Sequence, residues 1–95
     1  MDRHFGSFVW DVQKETANIR KHGVDFETAA RAFKDHGRKI YADEKHGEAE
    51  ERLFCIGKVW GRILTVRFTY REGSIRIYGA GYWRRGRRYY EQTDQ

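Results

Sequence analysis

Nineteen lysines and arginines, four histidines and one cysteine are the side chains whose types could carry chemistry in this 95-residue chain. Cys55 stands alone, which leaves no disulfide framework and no thiolate metal site, and fits a reduced cytoplasmic setting. His4, His36 and His46 do not fall at ligand spacing, so no zinc site is expected. Gly79-Ala80-Gly81 lacks the Lys-Ser/Thr pair and the helix start of a phosphate loop. His22 is the best acid/base candidate, because imidazole titrates near physiological pH. It reads equally as a cation that complements the C-terminal end of a helix dipole, and Lys21 shares both readings. Glu51 is a candidate base, a partner that orients Arg52, or a solvated loop acid.

The basic residues are unevenly placed. Residues 61–90 hold eight arginines against one acid, Glu72, a net +7, whereas 43–51 hold five acids against Lys45. The choice of arginine over lysine suits phosphate, whose oxygens match the guanidinium fork, and suits nucleobases, on which its face stacks. The same charge could simply solubilise a surface. Arg67 and Arg76 are expected mid-strand on the face away from the core, where a bare sheet could hold a phosphate. Arg52, Lys58, Arg62, Arg84 and Arg85 are further candidate contacts, although strand ends and turns collect solvated charge anyway. Tyr82-Trp83 beside Arg84-Arg85 either stack bases or pack over the sheet edge.

The elements that must position these residues follow from periodicity and punctuation. Residues 8–10 read as a short strand or apolar anchor. Asp11 is an N-cap for a helix Val12–His22 with Val12, Thr16 and Ile19 on its apolar stripe, and Gly23 suits the left-handed residue after it. Asp25 caps a second helix, in which Phe26, Ala29, Ala30 and Phe33 fall at i, i+3, i+4 and i+7 and His36-Gly37 closes the run. The period then changes to two. Strands are expected at 39–43, Arg52–Val59, Arg62–Arg71 and 74–80, with an acidic loop at 44–51 and turns at Trp60-Gly61 and Glu72-Gly73. Residues 84–92 are expected as a short basic helix or an ordered tail. The whole, 1–95, reads as one α+β domain: two N-terminal helices on one face of a twisted antiparallel sheet, with the other face helix-free. No apolar run approaches the ~20 residues that span a bilayer, and the N-terminus lacks a signal-peptide apolar region.

The opening segment Trp10-Asp11-x-x-Lys14-x-x-x-Asn18-x-x-Lys21-His22-Gly23-Val24-x-Phe26 resembles the start of the BrnT family. The similarity continues through Glu51-Arg52-x-Phe54-x-Ile56-Gly57, then Gly61-Arg62-x-Leu64-x-Val66-x-Phe68-Thr69, then Ile75-Arg76-Ile77, and covers roughly residues 8 to 91. The resemblance implies a RelE-like fold and a ribonuclease toxin that inhibits translation by cutting RNA without a metal or other cofactor. It also implies a BrnA-like ribbon-helix-helix antitoxin, and operator DNA bound only through the toxin–antitoxin complex. In such a reaction the ribose 2′-oxygen attacks its own phosphate, a base takes the 2′ proton, an acid protonates the leaving 5′-oxygen, and fixed cations stabilise the developing charge. His22, Lys21, Glu51, Arg67 and Arg76 are the residues on which those roles are placed. Relatives commonly carry Ser-Ala-Arg at the end of the last strand, where this chain has Gly79-Ala80-Gly81. The role of that arginine is therefore either missing or taken by Arg84 or Arg85. A non-catalytic module that keeps the toxin fold is the rival reading.

Overall fold

Asp11 ends one strand and starts one helix: its carboxylate accepts from the backbone N–H of Gln13, and Gly23 closes the helix at φ 71°. Asp25 repeats the device by accepting from Thr28 N–H. The computed structural model, which describes residues 1–45 and 50–92, thus places α1 at Val12–His22 and α2 at Phe26–Arg31 as their caps require. The second helical run ends sooner than His36-Gly37, tightening into a 3-10 turn at Ala32–Lys34. Its stripe holds: Phe26, Ala29 and Ala30 are buried and Phe33 packs against the core they join.

The described residues form six strands, β1 (Asp2–Phe5), β2 (Phe8–Asp11), β3 (Lys39–Ala42), β4 (Arg52–Val59), β5 (Arg62–Arg71) and β6 (Ser74–Gly81). They lie in the order β1-β2-β6-β5-β4-β3. Four residues of the expected acidic loop, 46–49, lie outside the described residues, His46 and Glu48 among them. The sheet is mixed rather than antiparallel throughout, because β2 runs parallel to β6 at Phe8↔Ile75 and Val9↔Arg76. β1 pairs antiparallel with β2 from Asp2↔Asp11 to Phe5↔Phe8 and forms one edge. All four β1 residues are exposed, so no alternation marks the strand.

One face of the sheet carries the core. Leu53 and Cys55 of β4, Leu64, Val66 and Phe68 of β5, and Ile77 and Ala80 of β6 meet Trp10, Val24, Phe26 and the alanines of the helical run. Contact is close where the 3-10 turn crosses β4: a Cβ on Gly57 would overlap the carbonyl of Ala32.

Helix α1 does not bury its expected stripe. Val12 and Ile19 are 37% and 46% exposed, and Thr16 faces solvent with them. The buried positions are Glu15 and Asn18. Glu15 accepts from Trp10 Nε1 at 3.1 Å and from Phe26 N–H at 2.9 Å. Asn18 donates to the carbonyls of Ala80 and Val24, both at 2.9 Å, and accepts from Ala80 N–H at 3.1 Å. The reason is backbone satisfaction. The short β2–β6 pairing leaves Ala80 without a strand on its β2 side, and an amide side chain can offer both a donor and an acceptor there.

The third helix, α3 (Arg84–Glu91), corrects the expectation of a helix-free second face, since it packs against β5 and β4 there. A Cβ on Gly86 would overlap the hydroxyl of Thr65, which puts the helix axis directly on β5. Its far end is held by Lys39 Nζ, which donates to the carbonyls of Tyr89 (3.0 Å) and Gln92 (2.7 Å). Tyr90 adds a hydrogen bond to Asp35, and Tyr89 stacks against Tyr41 with ring centroids 4.8 Å apart.

Candidate functional site

A β-bulge shapes the second face. Phe68 pairs with Ile77 and Arg67 with Gly79, so Tyr78 is the extra residue. Ile77 and Ala80 both point into the core, which turns Tyr78 and Gly79 together to the opposite side. The Tyr78 ring lies there beneath two guanidinium groups, those of Arg52 at 4.8 Å and Arg67 at 5.3 Å. The Arg67 side chain runs 3.4 Å from where a Gly79 Cβ would stand, so glycine makes room for it. Burial raises the Tyr78 hydroxyl above the ordinary tyrosine range, and the charges of Arg67 and Arg52 work against that rise.

Beside this cluster α3 and the sheet enclose a concavity of about 730 Å³. Arg67, Phe54, Ile56 and Thr65 form its floor, Trp83, Arg85 and Tyr89 one wall, and Tyr41 with residues 42–45 the other. Arg67, Arg85 and Lys45 bring positive charge to it, and Asp43 and Glu44 bring negative charge. Thr65 Oγ1 and Arg67 Nε are buried atoms with no hydrogen-bond partner among the described residues.

The arginines divide by what they touch. Arg76 is held by Asp2 through two bonds, 2.7 and 3.2 Å, and Arg71 by Glu50 at 2.7 and 3.3 Å. The Arg76 bond holds the Asp2 carboxyl below its usual range, and the Arg71 bond does the same for Glu50. By contrast Arg52 and Arg67 lie over Tyr78, Arg62 over Tyr82 at 3.6 Å, and Arg85 over Tyr89 at 5.9 Å. A ring positions a guanidinium without neutralising it, although the Glu50 carboxylate also attracts Arg52 from a distance.

The expected catalytic residues are not gathered in one place. Arg67 lies in the concavity. His22 sits at the end of α1 with its ring edge-on to Trp83, centroids 5.3 Å apart, and so meets the wall rather than the floor. Lys21 is exposed on α1. Glu51 is exposed before β4, and its carbonyl accepts from the Thr69 hydroxyl. Arg76 stands beside Thr69 with Asp2 bound to it. Of the expected contact residues, Arg84 is exposed at the start of α3, and the Lys58 ammonium lies 6.0 Å from the centre of the Tyr90 ring. Sequence reasoning missed Tyr78, Thr65 and Tyr41. Tyr78 alone had a signal, as an aromatic residue preceding a glycine in a strand, where bulges form. Cys55 is buried in the core, which pushes its thiol up to about 12 and leaves it inert.

Among the described residues no three His, Cys, Asp or Glu side chains gather as they would to hold a metal ion. No described helix is long and apolar enough to cross a membrane. A family model described as "Ribonuclease toxin, BrnT, of type II toxin-antitoxin system" matches residues 10–86, which include the end of β2, all three core helical segments, the sheet through β6 and the first turn of α3. No curated protein matches the chain.

Proposed function

The chain belongs to the BrnT family of ribonuclease toxins of type II toxin–antitoxin systems, and from that premise we propose that it cuts single-stranded RNA in the concavity between α3 and the sheet. The observation that carries this reading is the pair Arg52 and Arg67, both set over the Tyr78 ring beside the cleft. Two cations over one ring suit a phosphate that gains negative charge in the transition state.

In this reading Arg67, with Arg52 beside it, binds the non-bridging oxygens of the scissile phosphate, and Arg85 holds the next phosphate along. The 2′-oxygen attacks in line, forming a 2′,3′-cyclic phosphate and releasing the 5′-oxygen. His22 and Glu51 are the residues able to exchange protons with these oxygens, and Lys21 adds charge at the α1 end. Arg76 supports the field from the next row, reduced by Asp2. Because the reaction needs only proton transfer and charge stabilisation, it proceeds without a metal. The expected consequences are inhibition of translation and neutralisation by a BrnA-like ribbon-helix-helix antitoxin, with operator DNA bound by the complex. The RelE-like description of the fold belongs to the same reading.

A specific observation favours one rival. His22 meets Trp83 rather than the cleft floor, as it would in a module that binds RNA or antitoxin without cutting. Incubation of the purified protein with total RNA in EDTA separates the two. Cleavage with 2′,3′-cyclic ends, lost in Arg67→Ala, supports the enzyme; intact RNA at micromolar protein supports the binding module.

A further inference from the structure

Trp60 is 73% exposed although it is one of three tryptophans in the chain. It occupies the first central position of the β4–β5 turn, between paired Val59 and Arg62, with φ 48° followed by Gly61 at φ 81°. A turn with two left-handed residues favours Asn-Gly, and a bulky residue in that region is strained. The fold therefore holds a large aromatic side chain in an unfavourable backbone conformation and leaves most of it in water. Neither choice benefits stability.

The surroundings of Trp60 have a consistent chemistry. The Arg31 guanidinium, at the end of α2, lies 5.2 Å from the ring centre. Two residues along the turn, Arg62 covers Tyr82. Tyr82 precedes Trp83, which meets His22 and forms a wall of the concavity. Three aromatic rings, each matched with a basic side chain, thus stand at the cleft wall, next to it in sequence and at the hairpin tip. Alternating rings and cations match a single strand of nucleic acid, whose bases stack and whose phosphates lie between them. We infer that Trp60, with Arg31, is a binding site for a base and phosphate of the RNA strand outside the cleaved segment. It sets how long a substrate must be to bind well. This inference rests on the RNA-cleaving reading of the cleft.

Anisotropy of labelled 2′-O-methyl oligonucleotides, which lack the attacking hydroxyl and stay intact, tests it. A mixed-sequence trimer reports the cleft and a ten-nucleotide strand reports cleft plus hairpin tip. Trp60→Asn is expected to weaken the longer strand about tenfold, within the range for one stacked base, and to leave the trimer unchanged. Trp60→Phe is expected to restore most of that affinity. The melting temperature of Trp60→Asn is expected to stay level or rise, since asparagine suits the turn. Equal affinity of wild type and Trp60→Asn for the long strand overturns the inference while leaving the cleft reading intact, as does equal weakening of both strands. If that variant instead loses only antitoxin binding, the ring belongs to a protein interface and the inference fails. Wild-type protein that binds neither strand overturns both readings together.

Discussion

The Tyr90 hydroxyl donates to Asp35 at 2.6 Å and so fastens the last turn of α3 to the segment that follows the 3-10 turn. Asp35 also accepts from the backbone N–H groups of Lys58 (2.7 Å) and Gly37 (3.0 Å). One carboxylate thereby joins the helix that walls the cleft to β4 and to the loop before β3.

This bond predicts a pH dependence with two limits. Burial works to raise Asp35, but the Tyr90 hydroxyl and the two backbone donors outweigh it and hold the carboxyl below its ordinary range. The same bond pushes Tyr90 up to about 12. A depressed carboxyl contributes stability above its unfolded value, about 3.9, and loses it as pH falls through the folded value. A raised phenol contributes below its unfolded value, about 10, and loses that as pH rises toward the folded one. Tyr90→Phe is therefore expected to cost about 1 kcal/mol near neutrality. Urea titrations should show the gap between wild type and variant shrinking below about pH 4 and above about pH 10. A constant gap from pH 2 to 12 would show that the bond is not coupled to these two titrations.

The caps and the strands with clear alternation were legible in the sequence, and the second face was not. Asp11, Gly23 and Asp25 act locally, so their types determine where α1 and α2 begin or end. Residues 52–59 and 62–71 alternate because one side is core, and their bounds follow. α1 misleads because its buried positions are chosen for hydrogen bonds to Trp10, Phe26 and Ala80, and a hydropathy stripe counts Glu15 and Asn18 as solvent-facing. The seat of α3 depends on one close approach, Gly86 on Thr65, between residues 21 apart in sequence. The cluster at Tyr78 needs a bulge in β6, which shifts register by one residue and so turns Tyr78 onto the face where alternation already places Arg52 and Arg67.

Gly86→Ala offers a test in which two effects have opposite signs. Alanine favours a helix over glycine by up to about 1 kcal/mol. Here its methyl group would overlap the Thr65 hydroxyl, and Thr65 is 4% exposed on a central strand with little room to move. Overpacking of this kind costs about 1–3 kcal/mol, so the substitution is expected to destabilise on balance. The double variant Gly86→Ala/Thr65→Ala is expected to recover much of the loss in a double-mutant cycle. A more stable Gly86→Ala protein would mean that α3 does not seat on β5.

Glu15 should prove more important than a helix-surface acid. It accepts from both Trp10 Nε1 and Phe26 N–H, and all three groups are buried. Glu15→Gln has one acceptor oxygen, so its amide must face one of the two donors and leave it unpaired. A loss of about 1–3 kcal/mol is expected, and Glu15→Leu, which abandons both donors, is expected to lose more. Chemical denaturation followed by tryptophan fluorescence measures both, and neutral substitutions would contradict the burial of that carboxylate.

Arg67 and Arg76 lie on the same face of neighbouring strands, and what holds each one predicts different consequences. Arg67 rests on Tyr78 and keeps its charge for the cleft, whereas Arg76 is bound by Asp2 with side chains 20% and 43% exposed. If charge at the phosphate drives cleavage, Arg67→Ala is expected to slow it by about 10²–10³-fold, the usual loss for one transition-state donor. Arg76→Ala is expected to slow it by less than about tenfold, because a contact already neutralised gives up little field. Its stability cost should be small, about 0–1 kcal/mol, as for other partly exposed ion pairs. Asp2→Asn completes the test, since it removes the neutralising carboxylate and leaves Arg76 in place. That variant is expected to bind RNA a few-fold more tightly, with a steeper fall in affinity as salt rises. Equal losses in Arg67→Ala and Arg76→Ala would show that RNA responds to the charge of the whole strand face, and that the ring beneath Arg67 confers no advantage.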